Sequence, residues 1–305
     1  MARNSKRVLL VGCNGLLGQK LATAASRSYR VYGIGLREQS PVRGFLEQYV
    51  RLDITTRGDV LEALHAIRPE WTINAAAMTD VDACERDPEG AWGVNVEGVR
   101  HLATGCERCA SKFLQLSTDY VFDGTSGPYA EDQEPHPVNV YGRTKLESEK
   151  LLDHMALEYS IVRTALLYGS VATARANFVQ GVCSALARGE AVHAATNLYG
   201  NPTLVDDLAD GIVIALRKEV RGILHLAGSE WLSRYDFAMK IARTFGLNED
   251  LIMPVSFQEL NLHAPRPLRA GLGTDRAKRK FGIAFAAVEE GLRRMMTQHD
   301  EFSKR

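Results

Sequence analysis

The chain reads as an α/β protein, a doubly wound parallel sheet with a second, smaller C-terminal lobe, and three observations predict it. Short apolar runs alternate with helix-length segments through the first half of the sequence. The runs are apolar enough to suit strands buried on both faces. The first of them, Val8–Val11, leads directly into Gly12-Cys13-Asn14-Gly15-Leu16-Leu17-Gly18 and then into a helical stretch, Gln19–Ser26.

That opening is strand, glycine turn, helix. Glycines at this spacing let the backbone turn tightly and approach a pyrophosphate, while the amides and dipole of the following helix face the phosphates. A glycine turn with no nucleotide is the simpler alternative, and the flanking strand and helix favour nucleotide binding. The second strand, Arg30–Leu36, ends in Gly33-Ile-Gly-Leu-Arg37 without the acid that NAD enzymes keep for the ribose 2′-hydroxyl. Arg37 is placed to meet a 2′-phosphate instead, so NADPH is expected to bind better than NADH, with Glu38 leaving room for NAD. Strands follow at Tyr49–Leu52, Trp71–Ala77, Phe113–Ser117 and Ser160–Leu166, with helices at Arg57–Ile67, Pro88–Ala110 and Asn139–Leu157 between them. Asp123–Pro137, rich in glycine and proline, is a loop.

After Leu166 the pattern is less regular, with helices near Asn177–Arg188, Val205–Lys218, Ser233–Phe245 and Val288–Gln298 and a strand at Gly222–Ala227. The expected division is a dinucleotide-binding domain over residues 1–165, with a return segment near 204–225. Residues 166–203 and 226–305 form a substrate-binding lobe.

Tyr141 and Lys145 stand four residues apart on the helix that follows the loop, hence on one face and one turn apart. A nearby ammonium favours a phenolate and is expected to lower the tyrosine pKa toward working pH, which suits a group that passes a proton to a substrate oxygen. Thr118, just past the apolar run Phe113–Ser117, offers a hydroxyl to the same oxygen. Asp119 and Tyr120 adjoin it: Tyr120 is a candidate sugar contact, and Asp119 either touches the sugar or caps the following turn.

Thirty-seven basic and 37 acidic residues leave no net charge, and no basic tract suggests nucleic acid or a membrane surface. The basic start is followed by too few apolar residues for a signal peptide, so the cytoplasm is the expected compartment. Five scattered cysteines do not resemble a disulfide framework, Cys106-Glu-Arg-Cys109 falls late in a helix with no second pair, and the histidines lack ligand spacing, so no metal is expected.

The ordered motifs Gly12-x-x-Gly15-x-x-Gly18, Asp53-Ile54, Asn74-Ala-Ala-Ala77, Ser117-Thr-Asp-Tyr-Val-Phe-Asp-Gly124, Tyr141-Gly-x-Thr-Lys145, Arg163-Thr-x-x-x-Tyr168-Gly169 and Gly200-x-Pro202-Thr203 resemble the extended short-chain dehydrogenases. Within them the combination is similar to the dTDP-4-dehydrorhamnose reductase group. The resemblance spans nearly the whole chain, including Arg266-Pro267. It implies a Rossmann-type reductase of 4-keto sugar nucleotides with a Thr118/Tyr141/Lys145 triad, Lys145 bonding the nicotinamide ribose. It implies also that Asp53 and Ile54 contact the adenine, that Ala75, Ala76 and Ala77 line the cofactor cleft, and that Asn177, Arg266 and the C-terminal lobe hold the nucleotide-sugar.

Two positions depart from the group: Leu166 stands where its members usually carry a tryptophan, and Leu198 where they carry a glutamine, so the pocket floor differs. Leu166-Leu-Tyr-Gly169 and Lys145-Leu-Glu147 are also similar to the regulatory beta subunit of methionine adenosyltransferase, which keeps the fold as a binding module. Epimerase and dehydratase readings are less favoured, because Thr118 is followed by Asp119-Tyr120 and not by an acid pair. A homodimer is compatible with the chain.

Overall fold

The computed structural model describes residues 6–171 and 173–303. Its centre is a seven-stranded, all-parallel sheet built from β1 (Arg7–Val11), β2 (Arg30–Gly35), β3 (Gln48–Arg51), β4 (Trp71–Asn74), β5 (Lys112–Thr118), β6 (Tyr159–Thr164) and a last strand, Gly222–His225. Their order is Gly222–His225, β6, β5, β4, β1, β2, β3. The direction of winding therefore reverses between β1 and β4, where open parallel sheets bind ligands beyond the strands' carboxyl ends.

Both faces of the sheet are covered, which explains why its strands are apolar at consecutive positions. Val8 and Leu10 pack with Leu21 of α1 (Leu16–Ser26) and Ile212 on one face. Leu9 and Val11 pack on the other with Leu64 of α2 (Arg57–Ile67) and Leu102. A third cluster, with Tyr168, Phe237, Ile241 and Leu292, lies in the C-terminal part of the chain. Among the described residues no helix is long and apolar enough to cross a membrane, and all five cysteines are free thiols.

Three departures from the sequence expectation shape the region beyond the carboxyl ends of the strands. The strand expected over Trp71–Ala77 stops at Asn74, whose buried amide donates to Gln115 Oε1 at 2.9 Å and accepts from Ala76 N at 3.1 Å. This turns the three alanines out of the sheet. The helix expected over Pro88–Ala110 is preceded by a separate short helix α3 (Val81–Arg86) and is itself divided into α4 (Pro88–Trp92), a wide π turn over Gly93–Glu97, and α5 (Gly98–Cys109). The π turn carries the buried Asn95, which accepts from Met78 N at 2.9 Å, donates to Met78 O at 3.1 Å and donates to Thr144 Oγ1 at 3.0 Å. A side chain bridging two other segments thus sits where the regular turn opens. The third difference lies after β5, where residues 119–121 form a 3₁₀ turn. Thr118 itself caps that turn, its Oγ1 accepting from Tyr120 N at 3.2 Å, so the capping role considered for Asp119 falls to its neighbour.

The next helix, α6 (Val140–Asp153), is capped by Asn139, whose Oδ1 accepts from Gly142 N at 2.8 Å. Gly142 presses against the turn after β5: a Cβ there would lie 2.1 Å from Tyr120 O. This close approach brings Tyr141 and Lys145 to the carboxyl end of β5. The remaining helices are α7 (Phe178–Ala187), α8 (Val205–Arg217), α9 (Arg234–Phe245), α10 (Asp275–Phe281) and α11 (Val288–Ser303).

Candidate active site

Beyond the carboxyl ends of the strands lies a cleft of about 590 Å³. One end is made by the glycine turn. Gly12 takes a left-handed φ of +80°, and a Cβ there would meet Ala76 N at 2.7 Å; a Cβ on Gly18 would lie 2.1 Å from Gly12 O. The turn therefore lets strand, helix and the displaced alanines approach more closely than any side chain permits. Gly15 is the N-cap of α1, with no side-chain cap and no acidic residue in the first turn. The first amides and the positive helix end stay available to an anion.

Asn14, Gly15, Leu16, Leu17 and Gly18 line the cleft, as do Ala75, Ala76 and Ala77, whereas the half-buried Gly12 does not. Asn14 braces the end of β2: it donates to Tyr49 Oη at 3.0 Å and lies over Gly35, where a Cβ would meet its Nδ2 at 2.5 Å. Arg37 is exposed at the cleft rim and donates to Thr173 Oγ1 at 2.9 Å. Glu38 is turned to Arg51, 3.1 Å away, so the acid nearest to the strand end is already paired.

Asp53 and Ile54 lie outside the cleft lining. Asp53 Oδ1 accepts from both Thr55 N and Thr55 Oγ1 at 2.9 Å, and Ile54 is buried against Gly98. The close-packed turn and the uncapped helix end suit a dinucleotide.

Thr118, Tyr141 and Lys145 all face this cleft. Burial pushes the Tyr141 phenol up, with the Thr118 hydroxyl opposing the rise and Asp119 adding to it. This corrects the expected lowering by Lys145: desolvation wins over any effect of the neighbouring cation. A phenol held protonated is in the form that donates a proton. Lys145 is 3 % exposed, and burial brings its ammonium down to about 8 against the opposing charge of Glu149. Glu149 is itself committed to the buried Arg163 at 2.6 Å. The Lys145 ammonium has no hydrogen-bond partner among the described residues, so it is free for a ligand hydroxyl. Ser117 Oγ and Thr164 Oγ1, also on the cleft wall, are buried without partners.

The opposite end is built from side chains. Tyr120 lines it, its ring edge-on to Tyr141 with centroids 6.0 Å apart. Leu166 holds a strained left-handed φ of 37° and lines the cleft at the position that is usually tryptophan in the group the chain resembles. Leu198, by contrast, is buried away from the wall. Asn177 reaches the lining, but as N-cap of α7 its amide donates to Gly169 O at 2.7 Å and to Gln180 Oε1 at 2.9 Å and accepts from Gln180 N at 3.3 Å. Arg266 lies outside the lining, donating to Asp82 Oδ2 at 2.7 Å and to Ala264 O at 2.8 Å.

Sequence reasoning missed two arginines here. Arg175 reaches the cleft and pairs with Asp80 Oδ2 at 2.7 Å. Arg234 lines the wall beside Asp119, with Nη1 buried and without a partner. One signal for it was visible: an arginine in the first turn of a helix opposes the macrodipole, a local cost without a local reason.

Glycine turn, reversal of the sheet and a buried Thr/Tyr/Lys group beside it define a dinucleotide-dependent reductase of the extended short-chain dehydrogenase class. The chain belongs to the RmlD substrate binding domain family, which it matches over residues 6–301. It is 32% identical to a dTDP-4-dehydrorhamnose reductase of Aggregatibacter actinomycetemcomitans, covering 91% of this chain and 94% of that one. It is also 32% identical to a probable low-salt glycan biosynthesis reductase of Haloferax volcanii, covering 96% and 98%. The solved dTDP-4-dehydrorhamnose reductase of Bacillus anthracis, in complex with NADP, superposes with a TM-score of 0.86 at 29% identity, covering 97% of this chain and all of that one.

Proposed function

We propose that this protein reduces the C4 keto group of a dTDP-linked 6-deoxyhexose, of the dTDP-4-dehydrorhamnose type, with NADPH. The observation that carries the reading is that Thr118, Tyr141 and Lys145 open into the same cleft as the uncapped end of α1. Bound NADPH supplies the hydride.

The protein's own contribution follows from charge. As the carbonyl oxygen becomes negative, the Tyr141 phenol, kept protonated by burial, gives it the proton. Thr118, held at the cap of the 3₁₀ turn, turns its hydroxyl from Asp119 Oδ1, 3.2 Å away, to that oxygen when substrate binds. Lys145 would hold a cofactor ribose hydroxyl with an ammonium that has no hydrogen-bond partner among the described residues, and its charge favours the anionic transition state. The uncapped amides of α1 take the pyrophosphate. Arg37, in place of an acid, takes the 2′-phosphate.

The test is oxidation of NADPH by the purified protein with dTDP-4-dehydrorhamnose, with the 6-deoxyhexose product identified. Cofactor binding without turnover on any 4-keto sugar nucleotide, together with a stable complex with another polypeptide, would instead make it a regulatory binding module.

A further inference from the structure

At the sugar end of the cleft one strong donor is unused. Arg234 is the first residue of α9, fixed by its own amide, which donates to Leu198 O at 2.9 Å. Its Nη1 is buried without a hydrogen-bond partner among the described residues. The guanidinium comes this far in because Gly200 has no side chain: a Cβ there would lie 3.3 Å from Arg234 Nη1 and 4.0 Å from Asp119 Oδ2. Asp119 in turn accepts from Thr118 Oγ1 at 3.2 Å. Burial raises the Asp119 carboxyl to about 6, and Arg234 is the foremost influence opposing that rise. Burial likewise lowers Arg234, with Tyr120 and Asp119 opposing.

A buried guanidinium donor left unsatisfied is costly, and a substrate acceptor that satisfies it gains a charge-assisted bond. What acceptor reaches it follows from place. Thr118 and Tyr141 fix the position of the reacting carbonyl, and Arg234 stands one residue away from Thr118, through Asp119. In a 4-keto-6-deoxyhexose the carbon on one side of the carbonyl carries a hydroxyl at C3, while the other carries only a methyl substituent outside the ring. The methyl suits the Leu166 wall and the hydroxyl suits the arginine.

We propose that Arg234 is a specificity-determining residue, donating Nη1 to the C3 oxygen of the sugar. Arg234 thereby selects substrates oxygenated beside the keto carbon over 3-deoxy analogues. The inference deepens the proposed function and rests on it.

Binding tests it without turnover. Calorimetry on protein saturated with NADP⁺ would compare dTDP-rhamnose, its 3-deoxy analogue and dTDP, for wild type, Arg234→Met and Arg234→Lys. Arg234→Met should weaken dTDP-rhamnose by roughly 10- to 100-fold while the other two ligands stay within about twofold. Arg234→Lys should recover part of the loss, having charge without the planar fork. Equal loss on all three ligands would assign Arg234 to the diphosphate and overturn the proposal; no loss on any would make the residue purely structural and overturn it too. Wild-type protein that binds none of the three refutes the proposed function itself, a separate result from either of these.

Discussion

At the end of the cleft we assign to the dinucleotide the backbone makes the shape, whereas at the end we assign to the sugar the shape comes from side chains on separate segments. Gly12, Gly15 and Gly18 form one continuous turn in which a Cβ at position 12 or 18 would sit under 3 Å from main-chain atoms. Tyr120, Leu166, Arg175 and Arg234 reach the other end from a 3₁₀ turn, a strained residue after β6, a loop and the start of a helix. The first construction tolerates almost no change and suits a ligand common to a whole class. The second can be altered one side chain at a time, which is how a single fold serves different sugars.

The junction of the two ends gives the largest expected effect. Tyr141→Phe keeps the ring edge-on to Tyr120 and removes the proposed proton donor, so turnover should fall by roughly 10²- to 10⁴-fold with NADPH binding retained. Wild-type turnover in this variant would discard the mechanism. Gly18→Ala tests the backbone end. Its Cβ would require a contact of 2.1 Å with Gly12 O, so the turn must shift. NADPH should bind roughly 10- to 100-fold more weakly, with a loss of about 1–3 kcal/mol in stability. Calorimetry and thermal unfolding read the two, and an unchanged Kd would show that the turn does not grip the phosphates.

The same contrast explains what the sequence made legible. The parallel sheet, its buried strands and the glycine turn depend on short-range patterns, and the structure has them. Tyr141 and Lys145 were visible because one helical turn separates them. The break in the long helix was not, since it depends on Asn95 meeting Met78 and Thr144, far apart in sequence. Arg234 was missed for the same reason: its meaning comes from Gly200 and Asp119, distant in sequence. The pKa of Tyr141 was misjudged because spacing shows the cation four residues on but not the burial, which outweighs it.

Lys145 belongs to both ends, and pH separates its roles. Burial has already lowered its ammonium to about 8, so the charge is present below that value and is lost as pH rises through it. Both kcat/KM and NADPH affinity should decline above about pH 8, approaching tenfold per unit in kcat/KM, while Tyr141 stays protonated across the range. Lys145→Met should abolish this limb along with most of the activity. A profile flat to pH 10 would show that the ammonium is not required.

The smallest effect concerns the one part of the dinucleotide end made by an exposed side chain. Arg37 is solvent-exposed and its present bond is to Thr173 Oγ1, so its replacement should leave the fold intact. A surface cation facing a phosphate contributes modestly, because water screens the charge and the long side chain must be ordered. Arg37→Ala should therefore reduce the preference for NADPH over NADH by roughly fivefold, almost all of it as weaker NADPH binding. Raising the salt concentration should shrink the wild-type preference in the same direction. The pairing of Glu38 with Arg51 adds a second arm: Arg51→Ala frees that carboxylate to bond a ribose 2′-hydroxyl, so NADH binding should strengthen while NADPH binding weakens. If Arg37→Ala left both dissociation constants unchanged, the 2′-phosphate would have to be read by the backbone, and even this corner of the dinucleotide end would owe its selectivity to main-chain shape.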